Sequence, residues 1–231
     1  MPGIVEKLRN IVAMMGVVDA SLYVLSRAAT AVSGGRVRIV KYYFVSQPVA
    51  ALPGAGVGSA GLFTLAWADP DSTLFGQVER PPQVIAKRFE QGARCLAATI
   101  GDDRLAGFLW FVVGPYEEDE VRARFVAGPE GSAAWDFDVT IMPPYRMGRL
   151  FGYLWRRAAN ELATLGVRST ISRISAFNPM SISSHRRLGA AIIGQATFLC
   201  IGPWQLMHAS MQPRWHFSSR HDKVPTLRLE A

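Results

Sequence analysis

The order of elements encoded between residues 134 and 207 constrains this chain more than any other feature. An apolar strand-like run, Ala134 to Met142, ends at Pro143-Pro144 and passes into the turn Tyr145-Arg146-Met147-Gly148-Arg149. From Gly148 to Leu165 the residues Leu150, Phe151, Leu154, Trp155, Ala158, Ala159, Leu162 and Leu165 fall on one helical stripe, and Gly166 supplies the stop. A strand at Arg168 to Phe177, a short helix at Pro179 to Leu188 and a strand pair from Ala190 to about Met207 complete a β-α-β-α-β half.

Upstream the pattern changes to hairpins. Strands are expected at Arg36 to Val45, Leu62 to Trp67, Ala93 to Ile100, Arg104 to Val113 and about Val121 to Val126, with Gly101-Asp102-Asp103 as a hairpin turn. Asp136 and Asp138, two apart on one expected strand, should share a sheet face. Pro81-Pro82 opens a helix from Gln83 to Gln91, because proline is tolerated in a first turn. The match Gly56-Val57-Gly58-Ser59-Ala60-Gly61 to GxGxxG is accidental, since a strand-like run follows where a dinucleotide site needs a helix N-terminus. Ile4, Leu8, Ile11, Val12 and Met15, then Leu22, Tyr23, Leu25 and Ala29 after Gly16, predict a helical hairpin or bent helix. The expected architecture is α/β: a mixed, mostly antiparallel sheet at 36–207, a helical extension at 1–35 and a polar tail at 208–231.

Half of the 231 residues are apolar, enough for one domain with a full core. Asp19 and Arg27 interrupt the N-terminal apolar stretches, so no run is long enough to span a bilayer, and Val18-Asp19-Ala20 makes a poor leader-cleavage site. Cys95 and Cys200 sit singly in apolar runs and read as reduced core residues of a cytoplasmic protein. The net charge of +7 is unevenly spread: residues 139–190 hold eight arginines and one acid, whereas residues 115–138 hold seven acids and two arginines. Without a helix-turn-helix, zinc or RNA-motif signature, the basic block argues against nucleic acid and for a phosphorylated small molecule. His208, His216 and His221 are not closely paired with one another, which argues against a metal.

A strand-to-helix turn holds phosphate through exposed N–H groups, a helix dipole and an arginine, and residues 145–149 offer all three. Here the chain resembles the GNAT (acyl-CoA N-acyltransferase) family, whose fourth strand ends in a V-x-P-x-Y-R-G-K-G-I-G-like turn. Ile141-Met142-Pro143-Pro144-Tyr145-Arg146 matches the first half; in the second, Arg149 and Phe151 stand where small residues are expected, flanked by Gly148 and Gly152. The family's N-x-x-A-x-x-x-Y-x-K-x-G-F segment is similar in spacing to Asn178 through Ser181, His185 and Gly189-Ala190, with His185 at the tyrosine position.

The resemblance, over roughly residues 83–205, implies an N-acyltransferase, most simply an N-acetyltransferase, using acetyl-CoA or another acyl-CoA without metal. It places the oxyanion and cofactor donors on the strand at Val139, Ile141 and Met142. It places phosphate contacts at Arg146, Met147, Gly148 and Arg149, and further cofactor contacts at Asn178 and Ser181. A neutral amine must be produced, for which Asp138 is the first choice of base with Asp136 beside it; His185, titrating near neutrality, could protonate the departing thiolate. Tyr116, Glu118 and Glu120 could orient a cationic small-molecule amine. Asn178 also has an ordinary role as the N-cap before Pro179, and the run Glu117 to Glu120 as a solvated loop. A membrane-surface contact through the N-terminal helices and a homodimer stay open, as does a catalytically silent ligand- or protein-binding member of the same fold.

Overall fold

The structure is a computed structural model that describes residues 4–49, 59–101, 103–219 and 224–230. In chain order the elements begin with α1 (Ile4–Met15), α2 (Val17–Val32), β1 (Val37–Pro48), β2 (Ser59–Ala60), β3 (Phe63–Ala68) and α3 (Pro82–Glu90). They continue with β4 (Arg94–Ile100), β5 (Arg104–Val112), β6 (Pro115–Glu117), β7 (Arg124–Gly128), β8 (Ala133–Ile141), α4 (Leu150–Thr164) and β9 (Ser169–Ser175). The last are α5 (Pro179–Arg187), β10 (Ala191–Ile201), β11 (Trp204–Ala209), β12 (Trp215–Ser218) and β13 (Thr226–Glu230). Residues Gly56 to Gly58 of the GxGxxG match lie outside the described residues; the strand that follows it is β3.

The chain divides into two compact units. The second, residues 48–119 and 125–172, carries the strand order β2-β3-β4-β5-β8-β9. Its neighbours from β2 to β8 are antiparallel, whereas β8 and β9 run parallel from Ala133↔Ser169 to Asp136↔Ser172. A parallel pair needs a crossover, and α4 supplies it. Its stripe buries Leu150, Leu154, Trp155, Ala158 and Leu162, with Leu162 packed near Phe111, Ala134 and Val167. Along β8 the alternate residues Trp135 and Phe137 meet a different set of rings: Trp135 stacks on Phe125 at 4.7 Å, and Phe137 stacks on Tyr116 at 4.2 Å and Trp110 at 6.1 Å. The result is a mixed α/β sheet flanked by helices, as expected.

The first unit, residues 1–47, 120–124 and 173–229, is built from the two ends of the chain. Its strand order is β12-β11-β10-β1, and β1 registers antiparallel to β10 from Val37↔Ile201 to Ser46↔Ala191. Gly16, at φ 79°, breaks the N-terminal helix in two, the conformation that glycine tolerates best. The tail is not merely polar: it contains β12 and β13, with Leu227 and Leu229 fully buried. Cys95 and Cys200 are buried free thiols, and burial holds both above the ordinary range.

Candidate active site

The second unit gathers most of the expected site residues around one irregularity in β8. The β5–β8 register passes from Trp110↔Phe137 to Phe108↔Thr140, so Asp138 and Val139 together oppose the single residue Leu109. Two residues against one is a β-bulge. Asp138 takes φ 47°, a left-handed conformation that aspartate tolerates better than most side chains. The strands also approach closely at Gly107, where an added Cβ would lie 2.8 Å from the Thr140 carbonyl oxygen.

The bulge overturns the expectation that Asp136 and Asp138 share a face. Asp138 turns to the Arg88 guanidinium, which contacts it at 2.7 Å and lies 5.1 Å from the Phe137 ring centroid. Arg80 adds a contact to Asp138 at 3.2 Å, and Arg88 also holds Asp119 at 2.5 Å. Asp138 is well buried, which opposes ionisation, but Arg88 and then Arg80 outweigh this and hold its carboxyl below the usual range. It is therefore a firmly ionised anchor and a weak base, contrary to its expected role.

Asp136 has the opposite electrostatics. It is buried, the Ser172 hydroxyl donates to its Oδ1 at 2.5 Å, and its Oδ2 makes no well-formed hydrogen bond. Burial pushes its pKa up to about 6, with Ser172 and more weakly Thr170 pulling it back. Opposed environments for two nearby carboxyls are the usual way to separate an anchor from a group that exchanges protons near neutrality.

Beyond the bulge, Met142 N donates to the Ala106 carbonyl at 2.9 Å, and Pro143–Tyr145 forms one short 3-10 turn. Tyr145 packs edge-on against Phe63 at 5.6 Å, which fixes the turn against β3. Helix α4 starts at Leu150, the first residue of its stripe, after Arg149, with no side chain capping it. Tyr153 N donates to the Arg149 carbonyl at 3.1 Å, so the N–H groups of Leu150 and Gly152 precede the helical ladder. A Cβ built on Gly152 would meet nothing within 4 Å. An open, uncapped helix start beside Arg149 suits an anion. Arg146 does not point its full guanidinium there, because its Nε donates to the Ile141 carbonyl at 3.0 Å, and Met147 is almost wholly exposed.

Tyr116 and Glu118 are buried, which removes both from a substrate surface. Tyr116 stacks on Phe137 and its hydroxyl bonds Asp119 at 3.0 Å, so it belongs to the core around Arg88. The acidic run is solvated in part and paired in part: Glu117 meets Lys87 at 3.6 Å at the surface, and Asp119 meets the buried Arg88. Arg88 itself is outside the expected set. An arginine on a short helix reads as surface, yet here it lies buried over Trp110 and Phe137.

The remaining expected residues are in the first unit. Glu120 accepts from the Tyr42 hydroxyl at 2.6 Å and lies 3.7 Å from Arg173. Asn178 caps α5 by accepting from Ser181 N at 3.1 Å, the ordinary role expected of it. His185 is buried on α5, and desolvation pushes its pKa down to about 4. Burial thus disfavours the charged imidazolium that the expected general-acid role needs. Among the described residues no group of histidines, cysteines and acids is spaced to hold a metal.

The strand, turn, helix, strand, helix order is thus the one the resemblance implied, and a solved structure with a TM-score of 0.50 agrees at the level of fold. A Drosophila protein superposes with a TM-score of 0.50 at 13% identity, over 74% of this chain and 54% of its own. A GNAT-family protein from Novosphingobium aromaticivorans gives 0.48 at 16% identity, over 69% and 63%, and a tandem GNAT protein from the clavulanic acid biosynthesis pathway gives 0.46 at 16%, over 71% and 55%. The chain spans less than two thirds of the length of each of these. No family model and no curated protein sequence matches. The chain is a mixed α/β protein.

Proposed function

We propose that this chain is an acyl-CoA-dependent N-acyltransferase that moves an acyl group, most simply acetyl, to a small-molecule amine by direct transfer in a ternary complex. The observation that carries the reading is the conjunction, within one unit, of the bulge at Asp138 with the uncapped start of α4 shortly beyond it. The residues present fit the donor. Leu150 and Gly152 would offer backbone N–H groups to its pyrophosphate, Arg149 stands at the same helix end, and Glu161 is the single acid between residues 139 and 190. When bound, the thioester supplies an acyl carbon open to attack by an amine.

This chain's own part is to hold geometry and move one proton. Arg88 and Arg80 fix Asp138 and with it the bulge that sets the direction of the backbone from Val139 to Met142. Asp136, rather than Asp138, is the carboxylate whose proton affinity lies near working pH, and because it is as buried as Tyr116 it would take the amine's proton through an intervening water rather than by direct contact. The buried His185 supports a second reading, a silent ligand-binding member of the fold.

Titration calorimetry with coenzyme A, followed by a free-thiol release assay over a panel of amines, tests both. Binding with transfer is expected, and Asp136→Asn should keep binding while losing transfer. Binding without transfer for any amine favours the silent module. Absence of heat at about millimolar coenzyme A overturns the acyltransferase reading, since sites of that affinity correspond to only about −4 kcal/mol.

A further inference from the structure

Helix α2 is inside out. Its face toward β1 is polar: buried Asp19 receives Lys41 Nζ at 2.6 Å and the Tyr43 hydroxyl at 2.6 Å. Further along, Ser26 and Thr30 donate to the Ile39 and Val37 carbonyls at 2.8 and 3.3 Å. The opposite face is aliphatic and faces solvent, with Val17 and Val18 each 68% exposed, Val24 45%, Leu25 55% and Val32 91%. At about 100° per residue these side chains occupy one arc along the whole helix, with Ser21 its only polar member. Helix α1 widens the surface with Val12 and Met14, and between the two helices runs an apolar groove of about 420 Å³. Monomeric proteins rarely leave such a continuous patch to water.

Charge identifies what covers it. Residues 1–47 contain six basic residues and two acids, and one of those acids, Asp19, is committed to Lys41. Arg9, Arg27 and Arg36 are exposed. A second copy seated on this face would bring like-charged arginines together, whereas an anionic lipid surface satisfies the arginines and the valines at once. The 16 residues of α2 extend about 24 Å, and no described helix is long and apolar enough to cross a bilayer. We propose that the α1–α2 hairpin lies on an anionic lipid surface, its aliphatic face at the boundary of headgroups and acyl chains and its arginines on the lipid phosphates. The proposal is independent of the acyltransferase reading.

The test is cosedimentation of the full chain with vesicles of phosphatidylcholine alone and of phosphatidylcholine with phosphatidylglycerol. Binding is expected only to the anionic vesicles and should weaken as salt rises. Leu25→Glu, an exposed position whose substitution leaves the packed face of α2 intact, should abolish it. Arg27→Gln and Arg36→Gln should each weaken it about fivefold, the contribution of one arginine near a charged bilayer. No binding at low salt overturns the proposal, as does equal binding by Leu25→Glu that circular dichroism shows to be folded. A concentration-dependent dimer in sedimentation that Leu25→Glu dissociates also overturns it, by assigning the face to a second copy.

Discussion

Replacing Asp136 by asparagine should make the protein relatively more stable at neutral pH while disabling it. In the folded chain the carboxyl titrates at about 6, against an ordinary 3.8, because it is buried beside β9 with one hydrogen bond from Ser172. The folded state therefore holds this proton between about pH 4 and 6, where the unfolded state has released it. Stability from this group is complete below about pH 4 and is lost as pH rises through about 6. A carboxyl raised this far destabilises the fold by roughly 3 kcal/mol at neutral pH, since each tenfold change in proton affinity is worth about 1.4 kcal/mol. Asparagine cannot ionise, and its amide meets the same surroundings as the protonated acid, so the comparison isolates the charge. Urea denaturation of both proteins at several pH values from about 4 to 7.5 reads the effect. The stability difference should move by roughly 3 kcal/mol in favour of asparagine across that range. Parallel curves for the two proteins would refute the buried-carboxylate argument. Retained transfer would refute its use as a base.

Arg88→Gln leaves Asp119 and Asp138 without the guanidinium between them, and should cost about 3–5 kcal/mol, readable as a fall in melting temperature of about 6–20 °C. Gly107→Ala forces a Cβ against the Thr140 carbonyl and Ile141 and should cost about 1–3 kcal/mol in denaturant titration, since backbone cannot move as a side chain can. His185 should stay neutral down to about pH 4 in a proton NMR titration; an inflection at the ordinary histidine value of 6.5 would show that its ring is not buried as described.

The regular parts of this fold are legible in the sequence because their periods are. The stripe of α4 and the Asn178-Pro179 start of α5 each carry a local physical signal that the structure repeats. Bulges have no such signal: nothing in Phe137-Asp138-Val139 announces an extra residue, and one extra residue reverses which face every later side chain occupies. Strand β13 is hidden because Thr226–Glu230 alternates over only five residues, in a segment that otherwise reads as polar. Arg88 is hidden for a different reason. Its burial depends on two acids 31 and 50 residues away, and that pairing is a property of the folded chain alone.

The placement of β1 has a consequence for the order in which the chain can fold. Its partner β10 lies about 160 residues later, as Val37↔Ile201 shows, so the first strand to be synthesised is among the last to be paired. The second unit has nearly all its residues once Ser172 has emerged, whereas the first must wait for residues 173–229. During that interval β1 lacks its β10 ladder and the aliphatic face of α2 is already in solution. Shortening the chain after Gly189 would make that condition permanent, and aggregation is the expected result.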